Sequence, residues 1–186
     1  TSGRARSFFG NGLVAHVPMA EPASAHLLDV ARDAAVGLDI ACRRGGTLVV
    51  IEGPQFSTRA ESELYRQWGA DVIGMTAMPE ARLAREAEIA YATIAMVTDY
   101  DCWHPGHDAV DVGAVVQVLN DNRGKAQALV AEIARRMPRD VVDCPARHAL
   151  DFAIMTAQDK RDVQAIARLD AVAGRVLGPK RNGQQG

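Results

Sequence analysis

The sequence predicts an α/β fold, and three observations carry that prediction. Short, almost wholly apolar runs at 47–51 and 90–97 read as strands of a sheet covered on both faces, where side chains need not alternate. Between and around them lie stretches with apolar residues every three or four positions, the spacing of a helix with one buried face. The order strand, helix, strand, helix, strand implies parallel pairing through right-handed crossovers. At 186 residues and 48% hydrophobic, the chain can bury a core of its own. The simplest organisation is one domain over residues 1–177, followed by a tail at 178–186 with the composition of disorder.

Taken in order, 13–17 reads as a short strand, and Pro18 with Pro22 keeps the next segment extended. Ser24 is an N-cap for a helix reaching residue 42, with Leu27, Leu28, Ala31, Ala35 and Leu38 on one face. Arg43, Arg44 and Gly45 close it, since cations suit a helix C-terminus and glycine suits the left-handed cap. After the strand at 47–51 the chain breaks at Gly53-Pro54 and restarts as a helix to Trp68, capped by Ser57 or Thr58. Thr58 with Glu61 makes a capping box, and Ala60, Leu64 and Trp68 mark the expected buried stripe. A second short strand occupies 71–75, Pro79 opens another helix from its first turn, and 90–97 is the third strand. A loop at 104–111 leads to one long helix over 112–137, ended by Pro138; helical patterns cover 146–156 and 162–176.

Charge is close to balance, 21 Lys plus Arg against 23 Asp plus Glu, which argues against a sequence-independent grip on nucleic acid. A small molecule or a second copy of the chain is the expected partner. No apolar run reaches the length of a membrane span and no charged-then-apolar leader opens the chain, so a soluble cytoplasmic protein is expected. Cys42, Cys102 and Cys144 are odd in number and far apart, which fits reduced thiols. The chain opens at Thr1 without methionine, and a processed, nicked or partial polypeptide is an expectation that fits such a start. An N-terminal Thr can act as a nucleophile through its own amine, but no partner base stands near it in sequence.

Chemistry is expected where three strands end. Asp99 and Asp101 stand two apart after an apolar run, so in extended geometry their side chains point the same way. Burying carboxylates is unfavourable unless something donates to them, so the pair marks either a polar ligand's site or two loop carboxylates that bond water or backbone. Phe56, at the turn after Gly53-Pro54, either offers a face to a planar ligand or plugs the core. Met75 and Thr76 set a thioether beside a hydroxyl, suited to a sugar with an apolar or sulfur substituent, although Met75 alone reads equally as core. Cys102, His104 and His107 lack the second short-spaced cluster that a zinc site requires, and no metal is expected. His16, alone on a strand, reads as a core or interface histidine. Neither a glycine-rich phosphate loop nor a nucleophile elbow occurs.

Four stretches together resemble a known family: 16–22 (His-Val-Pro-Met-Ala-Glu-Pro), 51–62 (Ile-Glu-Gly-Pro-Gln-Phe-Ser-Thr-Arg-Ala-Glu-Ser), 68–76 (Trp-Gly-Ala-Asp-Val-Ile-Gly-Met-Thr) and 98–103 (Thr-Asp-Tyr-Asp-Cys-Trp). They are similar to the methylthioadenosine branch of the trimeric purine nucleoside phosphorylases. The likeness runs in order through most of residues 1–130 and loosens beyond residue 137. It implies a mixed central β-sheet flanked by helices and a phosphorolytic pentosyl transfer: phosphate attacks the anomeric carbon of methylthioadenosine, releasing adenine and 5-methylthioribose 1-phosphate, a step of methionine and purine salvage. The implied roles are Asp99 as general acid at purine N7 and Asp101 as acceptor from the exocyclic amine, a pair that favours adenine over 6-oxopurines. Phe56 and Ser57 would flank the base, Met75 would lie under the ribose, and Thr76 would reach ribose or phosphate. Val112 and Val115 would line the methylthio pocket, excluding a 5'-hydroxyl by leaving it unpaired. His16 and Met155 would be offered to the neighbouring subunit's site.

No cofactor is implied, phosphate being a co-substrate, and a homotrimer is the implied assembly. Gln55 stands where related sequences often carry arginine. Family chains also hold their first strands and most phosphate ligands ahead of the point matching Thr1, so a separate N-terminal polypeptide is expected to supply them. The rival readings are a methylthioinosine or general purine nucleoside phosphorylase, and a non-catalytic purine-binding fragment.

Overall fold

The computed structural model describes residues 3–104, 112–140 and 142–178. By compactness the chain forms two units interleaved in sequence. Unit 1 takes Thr1–Gly3, Ala25–Met78 and Ala92–Val142, and unit 2 takes Arg4–Ser24, Pro79–Tyr91 and Asp143–Gly186. The expected α/β character is present as helices around a small parallel sheet. Among the described residues no helix is long and apolar enough to cross a membrane.

Unit 1 is built on a strand-helix-strand crossover. Strands β1 (Leu48–Val50) and β2 (Val72–Gly74) pair in parallel, Val49 opposite Ile73, and helix α2 (Arg59–Gln67) connects them. The pairing extends beyond the named strands, because the Ile51 N–H donates to the Gly74 carbonyl at 2.9 Å and that of Asp71 to Thr47 at 2.9 Å. Helices α1 (Ala25–Gly37) and α4 (Val112–Arg136) bury Ala34, Ala35 and Leu129 together, with Ile40 and Ile133 against them. Small residues on α1 let the two helices approach, and the larger Leu129 fills the gap.

Three expectations for this unit are corrected. Helix α1 stops at Gly37 rather than 42: Asp39 turns left-handed (φ 54°) and the Ile40 N–H bonds back to Ala35, which carries Ile40 onto the core cluster. Burial of Ile40 outweighs another turn of helix. Arg43 and Arg44 therefore do not close α1; each holds a carboxylate at 2.6 Å, Asp71 and Asp29 respectively. The run 90–97 forms no strand, and Ile94 and Val97 are 41% and 61% exposed. Apolar character makes a strand only when a neighbour supplies a ladder, and here the bonds are scattered: Ser24 N–H donates to the Tyr91 carbonyl at 2.7 Å and the Asn122 amide to that of Val97 at 3.5 Å.

Unit 2 has the tighter core. Leu13 and Leu150 are fully buried with Ala153, Ala165, Leu169 and Ala173. The strand expected at 13–17 is reduced to two isolated antiparallel bridges, Gly10 with Leu13 and Ala15 with Ile154. The helix expected over 146–156 is one 3-10 turn, Pro145–His148, because the chain must straighten for Ile154 to meet Ala15. The helix expected over 162–176 divides at Leu169 into α5 (Val163–Arg168) and α6 (Asp170–Leu177), which turns Leu169 into the core. Asp162 caps α5, accepting the Ala165 N–H at 2.8 Å.

Helix α3 (Ala77–Glu86) starts two residues before Pro79, which still falls in the first turn. Its last two residues are buried charges, each with partners in unit 2. Arg85 donates to the carbonyls of Pro18, at 3.0 Å, and Glu21. The Glu86 carboxylate accepts the Ser7 hydroxyl at 2.8 Å and the Phe8 N–H at 2.7 Å. Charges with satisfied hydrogen bonds are tolerable inside a protein, and these tie residues 7–21 to α3.

Candidate functional site

In unit 1 the ends of β1 and β2 meet at Gly53. That residue is left-handed (φ 67°), and a Cβ there would lie 2.6 Å from Met75 Sδ, so the Met75 thioether seats directly on glycine backbone. From this turn the chain passes Phe56, which is 55% exposed, and reaches Thr58, the cap of α2. Of the two capping candidates Thr58 is the one used: its hydroxyl accepts the Glu61 N–H at 3.3 Å and Glu61 accepts the Thr58 N–H at 2.7 Å. The Thr58 backbone N–H, then its hydroxyl, hold the Glu61 carboxyl below the ordinary carboxylate range.

Ser57, one residue earlier, has a buried hydroxyl oxygen with no hydrogen-bond partner among the described residues. Its carbonyl accepts from the Cys102 thiol at 3.6 Å. Since buried polar atoms are nearly always paired, this hydroxyl is available to a water or a ligand atom.

The third element is the loop 98–102, where the carboxylates are fixed rather than free. Asp99 Oδ2 accepts the Thr98 hydroxyl at 2.6 Å, and Asp99 Oδ1 accepts the Asp101 N–H at 2.8 Å. Asp101 Oδ1 accepts the N–H of Cys102 at 2.8 Å, and Asp101 Oδ2 accepts the Ser62 hydroxyl at 2.7 Å. The expected extended geometry does not hold, because Asp101 is left-handed with φ 62°. Asp99 is left exposed while Asp101 is half-buried against α2. Burial first, then the Asp101 charge, push the Cys102 thiol above its ordinary range, which keeps it protonated.

Ser62 is the member of this bonded cluster that sequence reasoning missed. The expected buried stripe of α2 is wrong: Ala60, Leu64 and Trp68 are exposed, and the helix buries Ser62 instead, at 2% exposure. Apolar spacing pointed away from it. Its one local signal is a hydroxyl four residues after the cap Thr58, hence one turn further along the same helix face.

Beyond Asp101 the side chains are aromatic. Tyr100 stacks on His104 with centroids 4.8 Å apart, Trp103 meets His104 edge-on at 5.4 Å, and the Arg66 guanidinium lies 3.7 Å over the Trp103 ring. His104 is thus part of a ring stack. Among the described residues no group of three or more His, Cys, Asp or Glu is placed to hold a metal, and His107 lies outside them.

The structure therefore brings Ser57, Asp99 and Asp101 into one bonded cluster with Cys102 and Ser62, and seats Met75 on the Gly53 turn that opens the same segment. Thr76 is exposed at the end of β2, and Val115 is half-buried in the first turn of α4. The Val112 side chain lies outside the described residues. His16 and Met155 belong to unit 2, where they flank the Ala15–Ile154 bridge: His16 donates its N–H to Ala153 at 2.9 Å, Met155 donates to Val14 at 2.9 Å, and both side chains are exposed.

Residues 1–135 match the model of a family described as the phosphorylase superfamily. The chain belongs to that superfamily. It is 57% identical over 184 residues to the S-methyl-5'-thioadenosine phosphorylase of Rhodospirillum rubrum, a match covering 96% of this chain and 61% of the relative. A second relative of that name, from Bradyrhizobium diazoefficiens, is 57% identical over 179 residues, covering 95% of this chain and 62% of its own. Among solved structures, a methylthioadenosine phosphorylase from an antarctic soil metagenomic library superposes with a TM-score of 0.79 at 46% identity, covering 91% of this chain and 60% of that one. A methylthioadenosine phosphorylase from Schistosoma mansoni in complex with adenine superposes with a TM-score of 0.69 at 31% identity, covering 76% of this chain and 57% of that one. The phosphorylase superfamily chain spans about three fifths of the length of the relatives it matches.

Proposed function

We propose that this chain forms the base-binding part of a methylthioadenosine phosphorylase, in which phosphate attacks the anomeric carbon and adenine departs. The observation that carries the reading is the loop in which Asp99 accepts the Asp101 N–H, joined through Cys102 to Ser57, whose hydroxyl has no partner among the described residues. An acceptor faces an amine, and a buried unpaired hydroxyl calls for a polar ligand atom. That chemistry fits a 6-aminopurine better than a 6-oxopurine. The relatives carry the same activity in their names, and the S. mansoni structure holds adenine.

In the proposed reaction a phosphate oxygen forms a bond to the anomeric carbon as the bond to purine N9 breaks and its electron pair passes into the ring. Protonated Asp99 transfers its proton to N7, so the base leaves neutral. For that step the Asp99 carboxyl must exchange its acceptor role toward Thr98 or Asp101 for donation. Asp101 accepts from the exocyclic amine, Phe56 lies along the base, and Met75 lies under the ribose. Thr76 meets ribose or phosphate, and Val112 and Val115 face the methylthio group. Phosphate serves as co-substrate and no cofactor takes part.

The remaining phosphate ligands lie outside the residues assigned here. Residues 1–177 then belong to one phosphorylase domain, a reading supported by the two units being interleaved in sequence rather than consecutive. Three copies assemble with His16 and Met155 turned to the neighbour's site, which suits their exposure side by side on one bridge. The enzyme works in the cytoplasm. The test is release of free base from methylthioadenosine, methylthioinosine and inosine in phosphate buffer, followed by ultraviolet absorbance. Adenine release from the first is expected. Preference for a 6-oxopurine would overturn the roles given to Asp99 and Asp101, and adenine binding without cleavage would leave a purine-binding fragment.

A further inference from the structure

We infer that Ser62 is a positioning residue for base recognition, acting through the Asp101 carboxylate. The inference rests on the proposed purine site and goes beyond it, because Ser62 lies on the buried side of α2 and is assigned no contact with the base. Three observations converge on it. First, Ser62 is the residue that α2 buries, at 2% exposure, although its neighbours Ala60 and Leu64 are apolar and exposed. Alanine would be a better helix former at that position and would leave no hydroxyl to satisfy. A polar residue at the buried point of a helix must therefore answer to its partner.

Second, that partner is a carboxylate of the candidate site. The Ser62 hydroxyl donates to Asp101 Oδ2 at 2.7 Å, across 39 positions of sequence. Hydrogen bonds to an ionised acceptor are about twice as strong as neutral ones, and this one is removed from solvent on the serine side. Third, Asp101 sits in the left-handed region (φ 62°), which aspartate enters when its short side chain is hydrogen-bonded. Its Oδ1 is engaged by the Cys102 N–H, its own N–H by Asp99 Oδ1, and its Oδ2 by Ser62. Of these three bonds, the one from Ser62 comes from an element outside the loop 98–102. Ser62 thus anchors the loop to α2 and sets the plane of the carboxylate before a base arrives.

The experiment is a double-mutant cycle on adenine and hypoxanthine binding by the full chain, measured by calorimetry. Ser62→Ala is expected to weaken adenine binding about tenfold and to leave hypoxanthine, which lacks the 6-amine, within about twofold. In an Asp101→Ala background the same substitution is expected to change adenine binding by less than about twofold, since nothing remains to be positioned. Ser62→Cys, close in volume and a weaker donor, carries the same test should Ser62→Ala fail to fold. Equal losses for both bases, or an equal loss with and without Asp101, would make Ser62 merely structural and overturn the inference. Failure of the unsubstituted chain to bind adenine at all would instead overturn the functional reading from which it starts.

Discussion

In unit 2 the two fully buried leucines, Leu13 and Leu150, share a core with four other buried residues, and the buried charges Arg85 and Glu86 each hold two partners. In unit 1, among the described residues, the sheet has two strands, Ile73, Ile94 and Val97 stand exposed, and the Ser57 hydroxyl is buried without a partner. Two strands alone are marginal in water, and stability within one protein is unevenly spread. The difference separates a part that closes on itself from a part with unmet demands: apolar strand faces that call for a neighbour and polar atoms that call for a ligand. The catalytic proposal falls on the second kind, as it must if substrate is to complete the site.

The largest expected contrast is in core truncation. Leu150→Ala should destabilise the protein by about 2–5 kcal/mol, whereas Ile94→Ala, at a half-exposed position, should cost about 1 kcal/mol or less. Denaturant unfolding of the two variants checks this. An equally large effect of Ile94→Ala would break the comparison, because it would mean that the segment 92–97 is covered in solution.

Next in size are the polar groups. Glu86→Ala leaves the Ser7 hydroxyl and Phe8 N–H without their acceptor and should cost about 1–3 kcal/mol. Asp99→Ala, at an exposed carboxylate, should change stability by about 0.5 kcal/mol or less yet remove most of the turnover. Thermal unfolding and base-release assays on the same two proteins test both halves, and near-normal turnover of Asp99→Ala would take it out of the mechanism. Thr58→Ala should fall between, near 1 kcal/mol, as the loss of a cap usually does.

What could be read from the sequence was local. The Thr58–Glu61 box, the strands around Val49 and Ile73 and the long helix ended by Pro138 each declare themselves within a few residues. Where a distant partner decides, local pattern misleads. Residues 146–156 have helical spacing, but the Ala15–Ile154 bridge overrides it; residues 90–97 have strand composition, but no ladder. The site divides the same way: Asp99 and Asp101 stood out as polar residues after an apolar run and Ser57 came with the family likeness, while Ser62 and the left-handed turn at Asp101 depend on a hydrogen bond spanning 39 positions. The family likeness named the chemistry that the spacing alone left open.

The smallest expected effect concerns pH and lies in unit 2, where charge is otherwise well matched. His148 Nε2 lies 2.7 Å from Asp143 Oδ1, and Nδ1 lies 3.4 Å from Asp151 Oδ2; Arg175 also pairs with Asp151 and with Glu88. The Asp143 hydrogen bond and charge, with Asp151 adding to them, raise the imidazole above its ordinary 6.5. A group whose proton is held more tightly in the folded state stabilises fully below the unfolded value and loses that contribution as pH rises through the folded one. Asp151 runs the other way: the Arg175 bond holds it below the ordinary carboxylate range, so its contribution is present at neutral pH and fades in acid. The melting temperature of the unsubstituted chain should therefore exceed that of His148→Gln at pH 6 and converge on it by about pH 8. Because these groups are exposed, the difference should shrink in high salt. A gap that is the same at both pH values would show that the imidazole does not hold Asp143 in solution, and the picture of unit 2 as the part with its charges matched would weaken at this corner.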